Sequence, residues 1–163
     1  VWLYVTADQE VVDIAEIIQA ALKKAGLRVE IKQLEWSAYK DAVNRGQADL
    51  FWLSWWADYP DAENFLFPLF HSTNHGPQGN RTRYTNPVVD RLIAAGQGAV
   101  TESERAKAYQ AAEALIVRDT PWVFLWHKND YHVVQPWVRG YRDRPIYSMD
   151  KGLDIELALA GTE

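Results

Sequence analysis

The chain has 163 residues, 48% hydrophobic and 24% charged, which is the composition of a single globular domain. A net charge of −5 with dispersed basic residues argues against a nucleic-acid partner, because such a partner needs a positive surface. No apolar run reaches the roughly 18 residues of a membrane span, and the lack of cysteine excludes disulfides and cysteine-based metal sites.

The first half of the chain alternates patterns typical of strands and of helices. They follow one another at 1–6, 11–25, 27–31, 36–43 and 48–55. Gly26 and Gly46 stand where the two helices are expected to end. A β-α-β-α-β order predicts an α/β fold built on a parallel sheet. The chain opens directly on the first strand pattern, without Met, and we expect it to be a mature fragment or an excised lobe.

The second half is richer in loop residues. Proline and glycine between 67 and 85 predict irregular structure there. Asn86-Pro87 is a typical helix start, and Thr101 with Glu104 forms a capping-box pattern ahead of a long helix. After that helix, the patterns at 122–126 and 131–134 predict strands, so we expect extra helices and a β-rich C-terminal tail.

The most informative stretch is 50–61, an apolar run that ends in a carboxylate among aromatic rings. Asp58 lies beside Trp55, Trp56 and Tyr59, beyond the carboxyl end of the third predicted strand, where open parallel sheets bind ligands. Between Gln47 and Arg81 there is no Lys or Arg to neutralise it. One interpretation is that Asp58 pairs with a ligand amine, with the rings as a cup. The alternative, which the pattern alone favours, is that Asp58 forms a turn by bonding a nearby backbone N–H.

Two other chemistries are alternatives. Asp58, Asp61 and Glu63 match the paired acids of a glycoside hydrolase only weakly, because acidic loop residues are usually just solvated. His71 and His75 have a spacing that on a helix would place both side chains toward one metal. Pro68 and the turn residues around them favour a loop, so we expect no metal site and no cofactor.

Several motifs resemble, in the right order, the dipeptide and oligopeptide (family 5) extracytoplasmic solute-binding proteins of ABC importers. The resemblance covers nearly the whole chain. Its segments are Leu34-Glu35-Trp36 with Tyr39, Trp55-Trp56-Ala57-Asp58-Tyr59-Pro60-Asp61, Asn64-Phe65-Leu66, Leu69-Phe70, Tyr84-Thr85-Asn86-Pro87 with Asp90, Arg105 with Tyr109 and Ala112-Glu113, Asp119-Thr120-Pro121, and Pro136-Trp137-Val138-Arg139-Gly140-Tyr141.

The resemblance implies the C-terminal lobe of a two-lobed, periplasmic-binding-protein type II-like fold. Residues 1–130 would form the ligand-binding lobe, and 131–163 a crossover and tail packing on a first lobe that this chain lacks. The implied location is periplasmic or membrane-anchored and extracytoplasmic.

The implied function is binding, not catalysis: capture of a peptide, or of another amine-bearing solute, for an importer permease. Non-peptide solutes of the family, such as a sugar, a nickel chelate or an opine, are the alternative. Asp58 would pair with the α-ammonium of the peptide. Trp52 stands where some members carry a basic residue for the peptide carboxylate, with Arg81 and Arg83 as substitutes. Further ligand contacts are expected from the loop before Asn86. They are Asn80, Arg83 and Tyr84.

Overall fold

A computed structural model of the chain describes residues 1–125, 131–142 and 154–158. Strands and helices alternate over the first half of it, and helices dominate afterwards. In chain order the elements are β1 Trp2–Thr6, α1 Gln9–Lys24, β2 Glu30–Leu34, α2 Trp36–Asn44, β3 Leu50–Phe51, α3 Glu63–Phe70, two short 3-10 turns at Ser72–Asn74 and Gly76–Gln78, α4 Pro87–Gly98, α5 Glu102–Asp119, β4 Val138–Arg139 and β5 Glu156–Leu157.

The first three strands form a parallel sheet in the order β2-β1-β3, which confirms the predicted fold class. The central strand β1 aligns Leu3 with Ile31 of β2 and with Leu50 of β3. Its side chains alternate between two buried faces, as in a strand covered on both sides. This alternation explains why the three central residues of β1, Leu3, Tyr4 and Val5, are all buried.

The two helices of the first half cover the two faces of the sheet. Leu3 and Val5 of β1 pack with Ala15 of α1 in one apolar cluster. Tyr4 packs with Tyr39 and the rest of the buried face of α2 in another. The sheet is therefore the middle of three layers, and the loops beyond its carboxyl edge are left free to form a site.

Helices α3, α4 and α5 enclose a third apolar cluster. It contains Leu66 and Phe70 of α3, Ile93 of α4, and Tyr109 and Ile116 of α5. Trp55, from the segment between β3 and α3, packs against it and joins the helical cluster to the sheet.

The predicted helix ends are confirmed. The Asn86 side chain accepts hydrogen bonds from the backbone N–H groups of Val88 and Val89, so it caps α4. Thr101 and Glu104 form a reciprocal capping box at the start of α5. Gly26 has a φ of 83° just after α1, a backbone conformation that glycine adopts without strain.

Three expectations about secondary structure were wrong in detail. The strand expected at 48–55 is shorter than predicted: β3 covers only Leu50–Phe51, and by Trp55 the chain packs against the helical cluster and not on the sheet. Pro68 lies inside α3 and does not end it; the helix continues to Phe70, although proline removes one N–H from its ladder.

The predicted strands after α5 are also absent from the described part of the tail. Residues 122–125 and 131–134 form none, and Val123 and Val133 are 81% and 97% exposed. Residue 126, the end of the first of these predicted strands, lies outside the described residues. The pairing that the structure describes in the tail is the antiparallel contact of β4 with β5. Among the described helices, none combines the length and apolar character that crossing a bilayer requires.

Candidate functional site

The segment between β3 and α3 is held at its two ends by different layers of the fold. Trp52 packs in the cluster on the α1 side of the sheet, and Leu53 packs in the cluster on the α2 side. Trp55 then packs against the cluster of α3, α4 and α5. Trp52 and Leu53 thus still alternate between the two faces of the sheet, whereas Trp55 has left it, and the chain reaches α3 with Ser54 and Asp58 exposed.

Asp58 is exposed in this segment. Within residues 1–125, 131–142 and 154–158, no Lys or Arg forms an ion pair with it. Trp56 and Tyr59 are 74% and 45% exposed, so both neighbouring rings offer contact surface. An accessible carboxylate flanked by accessible aromatic rings is suited to an ammonium group, which such rings attract by about 0.5–2 kcal/mol.

Asn64, in the first turn of α3, fixes the backbone on which Asp58 stands. Its Oδ1 accepts hydrogen bonds from the Asp58 backbone N–H at 2.9 Å and from the Trp55 indole N–H at 3.4 Å. Its Nδ2 donates to Asp58 Oδ2 at 3.4 Å. The Asn64 side chain thus ties the exposed carboxylate to a buried part of the helix.

The carboxylate that forms the turn is Asp61. Its Oδ1 accepts a hydrogen bond from the Glu63 backbone N–H at 2.7 Å and lies 2.6 Å from Arg105 Nη2. The Glu63 N–H and, with a smaller effect, the Arg105 guanidinium lower the pKa of Asp61 below its ordinary value. The contact to a backbone N–H that the turn interpretation assigned to Asp58 is therefore made by Asp61.

An open groove of about 400 Å³ adjoins this segment. Most of its wall is apolar, with the Asp61 carboxylate as its charged member. Asp58 does not line the groove itself, but Ala57 and Pro60, which flank Asp58 and Tyr59 in the sequence, do. The groove is lined by Trp55, Trp56, Ala57, Pro60, Asp61, Ala62 and Phe65.

The candidates from the loop before α4 have structural contacts of their own. Asn80 is fully buried, and its amide bonds the backbone of His71 and of Tyr84. Arg83 donates to the Asn44 carbonyl at the end of α2, at 3.0 Å. The Tyr84 hydroxyl donates to Asp119 Oδ2 at 2.7 Å, and burial, followed by this hydrogen bond, raises the pKa of Tyr84 to about 12.

The site residues expected from the sequence therefore fall into two groups. Trp55, Trp56, Asp58 and Tyr59 share one segment. In a second loop, Asn80 bonds the backbone of His71 and Tyr84, and Arg83 and Tyr84 hold that loop to α2 and α5. Ligand contact by either group remains a prediction.

The two histidines of the metal hypothesis lie outside the helices. His71 Nδ1 is 2.9 Å from Thr73 Oγ1, and His75 Nε2 is 3.1 Å from the Tyr84 carbonyl. In the described part of the chain, no group of three His, Cys, Asp or Glu side chains is arranged to hold a metal ion.

Two residues of the site escaped the sequence reasoning. Asn64 belongs to one of the motifs, but an asparagine in the first turn of a helix is common, so the sequence alone does not indicate a contact with Asp58. Arg105 contacts Asp61 across 44 positions of sequence, and no local pattern indicates such a pairing. Both residues belong to the motifs that resemble the family.

Comparison with known proteins decides the family. Residues 1–77 match the model of the bacterial extracellular solute-binding proteins, family 5 Middle. The chain is a member of this family. A probable di/tripeptide-binding protein 5 of Pseudomonas aeruginosa is 32% identical over 136 residues, which are 83% of this chain and 26% of the relative.

Other members of family 5 resemble the chain to a similar degree. Heme-binding protein A of Haemophilus influenzae is 30% identical over 87% of this chain and 26% of its own length. The structure of oligopeptide-binding protein AppA from Bacillus subtilis, in complex with a nonapeptide, superposes with a TM-score of 0.78 at 26% identity. That superposition covers 97% of this chain and 31% of AppA. The chain thus spans about a quarter of the length of the curated relatives that it matches.

Proposed function

We propose that this family 5 chain forms one lobe of an extracytoplasmic binding protein that captures a peptide by its amino end for an ABC importer. The observation that carries the proposal is the exposed carboxylate of Asp58, which has no ion-pair partner among the described residues and adjoins an apolar groove. Relatives named for di/tripeptide binding, and a superposed structure that holds a nonapeptide, support the peptide as ligand.

The roles within the site follow from charge and exposure. Asp58 would receive the α-ammonium group, and Trp56 and Tyr59 would supply the exposed ring surface around it. Trp55 would act mainly by packing, since it is partly buried against the helical cluster. A charge-assisted hydrogen bond of this kind is about twice as strong as a neutral one, and it tightens when water is excluded.

Closure onto a second lobe would exclude that water. Under this proposal, residues 1–130 are the ligand-binding lobe and 131–163 lead to the other lobe. The exposure of the tail supports the division, because Tyr131 and Val133 are 88% and 97% exposed and Trp137 is 54% exposed. Apolar side chains this exposed are available to pack on another body.

Binding without catalysis is supported by the use that the fold makes of its acidic residues. Asp61 is paired with Arg105, and Glu63 accepts hydrogen bonds from the hydroxyl of Tyr59 and from Gln97. These contacts engage two of the carboxylates that a glycosidase would need free on either side of a sugar. The relatives are also named as binding proteins.

A non-peptide ligand is the second candidate, because a relative of comparable identity is a heme-binding protein. Native mass spectrometry of the full two-lobed protein, purified without denaturation, separates the two. We expect the protein to retain a bound mass that fragments as a peptide. When the protein is offered a peptide mixture, we expect it to capture the free peptides and not the same peptides after N-acetylation. Retention of heme, or equal capture of acetylated and free peptides, would contradict the proposal.

A further inference from the structure

We infer that Asn64 is a positioning residue of the ligand site, which holds the Asp58 carboxylate in place for the incoming ammonium group. The inference rests on the proposed function of Asp58. It is carried by the position of a buried amide whose hydrogen bonds are all directed at the segment that bears that carboxylate.

The burial of Asn64 shows that its polar atoms must be satisfied inside the protein. The residue is 6% exposed, and a buried amide without hydrogen-bond partners destabilises the fold. Its oxygen accepts from both Asp58 N–H and Trp55 Nε1–H, and its nitrogen donates to Asp58 Oδ2. A single side chain therefore sets both the backbone and the carboxylate of Asp58.

The other buried asparagines serve a different segment. Asn74 donates to the Phe67 carbonyl at 2.7 Å, and Asn80 bonds the backbone of His71 and Tyr84. Both hold the irregular segment that follows α3. Among the buried polar residues of the described chain, Asn64 is the one whose hydrogen bonds reach the segment 55–58.

Fixing Asp58 favours binding because the carboxylate is otherwise exposed and free to rotate. A ligand that must order a mobile carboxylate loses affinity through that ordering, whereas a pre-organised partner avoids the loss. The hydrogen bond from the Trp55 indole to Asn64 adds to this effect. Because Trp55 packs against the helical cluster, this bond fixes the loop relative to the core.

The test measures calorimetric affinity for trialanine and for N-acetyl-trialanine in the full two-lobed protein. Asn64→Leu removes the three hydrogen bonds at similar volume, Asn74→Leu is the matched control, and Asp58→Asn sets the affinity without the anchor. We expect Asn64→Leu to weaken trialanine binding by about 10- to 100-fold, as for loss of a hydrogen bond to a charged group. We expect Asn74→Leu to stay within about twofold of the wild type, even where both variants lose similar thermal stability.

The outcomes distinguish failure of the inference on Asn64 from failure of the proposed function. If Asp58→Asn weakens binding but Asn64→Leu binds as tightly as Asn74→Leu, the inference on Asn64 is wrong and the proposed function stands. If the wild type does not distinguish trialanine from its acetylated form, both are overturned. Should Asn64→Leu not fold, Asn64→Ser, which has no amide N–H to donate, is measured in the same way with the same expected direction.

Discussion

Arg105 and Asp61 are joined by an ion pair of 2.6 Å, and this contact occupies the cation of α5 that lies near the loop carrying Asp58. Arg105 also donates to the Gly96 carbonyl of α4 at 3.1 Å, so it links the loop to two helices. The protein thus neutralises the carboxylate that shapes the turn and leaves the one before it exposed. The proposed function depends on this difference between Asp61, which is paired, and Asp58, which is exposed.

Asp61→Asn tests the structural part of this arrangement. A carboxyl with a lowered folded-state pKa adds stability above the unfolded value, near 3.9, and that stability is lost as the pH falls through the folded-state pKa. We expect the variant to lose about 1 kcal/mol at pH 7 and this loss to be smaller at about pH 2. Urea denaturation at both pH values measures this. An equal difference at both would show that the charge of Asp61 does not matter.

Gly96 allows α4 and α5 to approach closely. A Cβ at this position would lie 2.2 Å from the Tyr109 ring, whereas one at Gly98, in the same helix, would meet nothing within 4 Å. We expect Gly96→Ala to destabilise the protein by about 1–3 kcal/mol through overpacking. Gly98→Ala should be neutral or stabilising by up to about 1 kcal/mol, because alanine favours a helix. Thermal melts of both variants check this, and similar melting temperatures would contradict the packing shown here.

Tyr84 makes stability sensitive to alkaline pH. Its pKa is raised from 10.0 to about 12, so the neutral phenol stabilises the fold below pH 10 and that contribution is lost as the pH rises toward 12. We expect Tyr84→Phe to be less stable than the wild type by about 1 kcal/mol at pH 7. The difference should shrink above pH 10. Absorbance titration of tyrosinate in both proteins checks the assignment. The wild type should show one ionisation at high pH that Tyr84→Phe lacks, and identical titration curves would contradict the prediction.

The groove beside Asp58 predicts a preference for apolar side chains in the ligand. Trp56 is 74% exposed and lines the groove, so its removal takes away contact surface and little of the core. We expect Trp56→Ala to weaken binding of Phe-Ala-Ala by about tenfold, with a smaller effect on trialanine. Trp36→Ala, at a 47% exposed ring on α2, is the control for loss of an exposed tryptophan. Equal loss for both peptides would show that the groove does not select among them.

The sequence predicted the layered half of the fold because each element there has a local signature. The strand pattern of β1 and the spacing in α1 depend on neighbours in sequence, as do the caps at Asn86 and Thr101 in the helical half, and all appear in the structure. The length of β3 was overestimated because a continuous apolar run does not reveal that Trp55 packs against the helical cluster, after Trp52 and Leu53 have packed on the two faces of the sheet. The tail was misjudged because β-branched residues look like strands whether or not a neighbouring strand exists.

The site was predictable in part for the same reason. Asp58 and its rings could be found because they are contiguous, and the absence of nearby cations directed attention to the carboxylate. The pairing of Asp61 with Arg105 depends on the packing of α5 against the loop, which becomes visible only in three dimensions. Without that pairing, the acid of the turn and the acid left for a ligand could not be distinguished.

Calorimetry of Asp58→Asn in the full two-lobed protein tests the central claim most directly. The substitution keeps the shape of the side chain and removes its charge, and Asp58 is exposed, so the melting temperature should change little. We predict that trialanine affinity falls at least about 100-fold, to the level of N-acetyl-trialanine on the wild type. Unchanged affinity for trialanine would contradict the claim that this carboxylate receives the ligand amine.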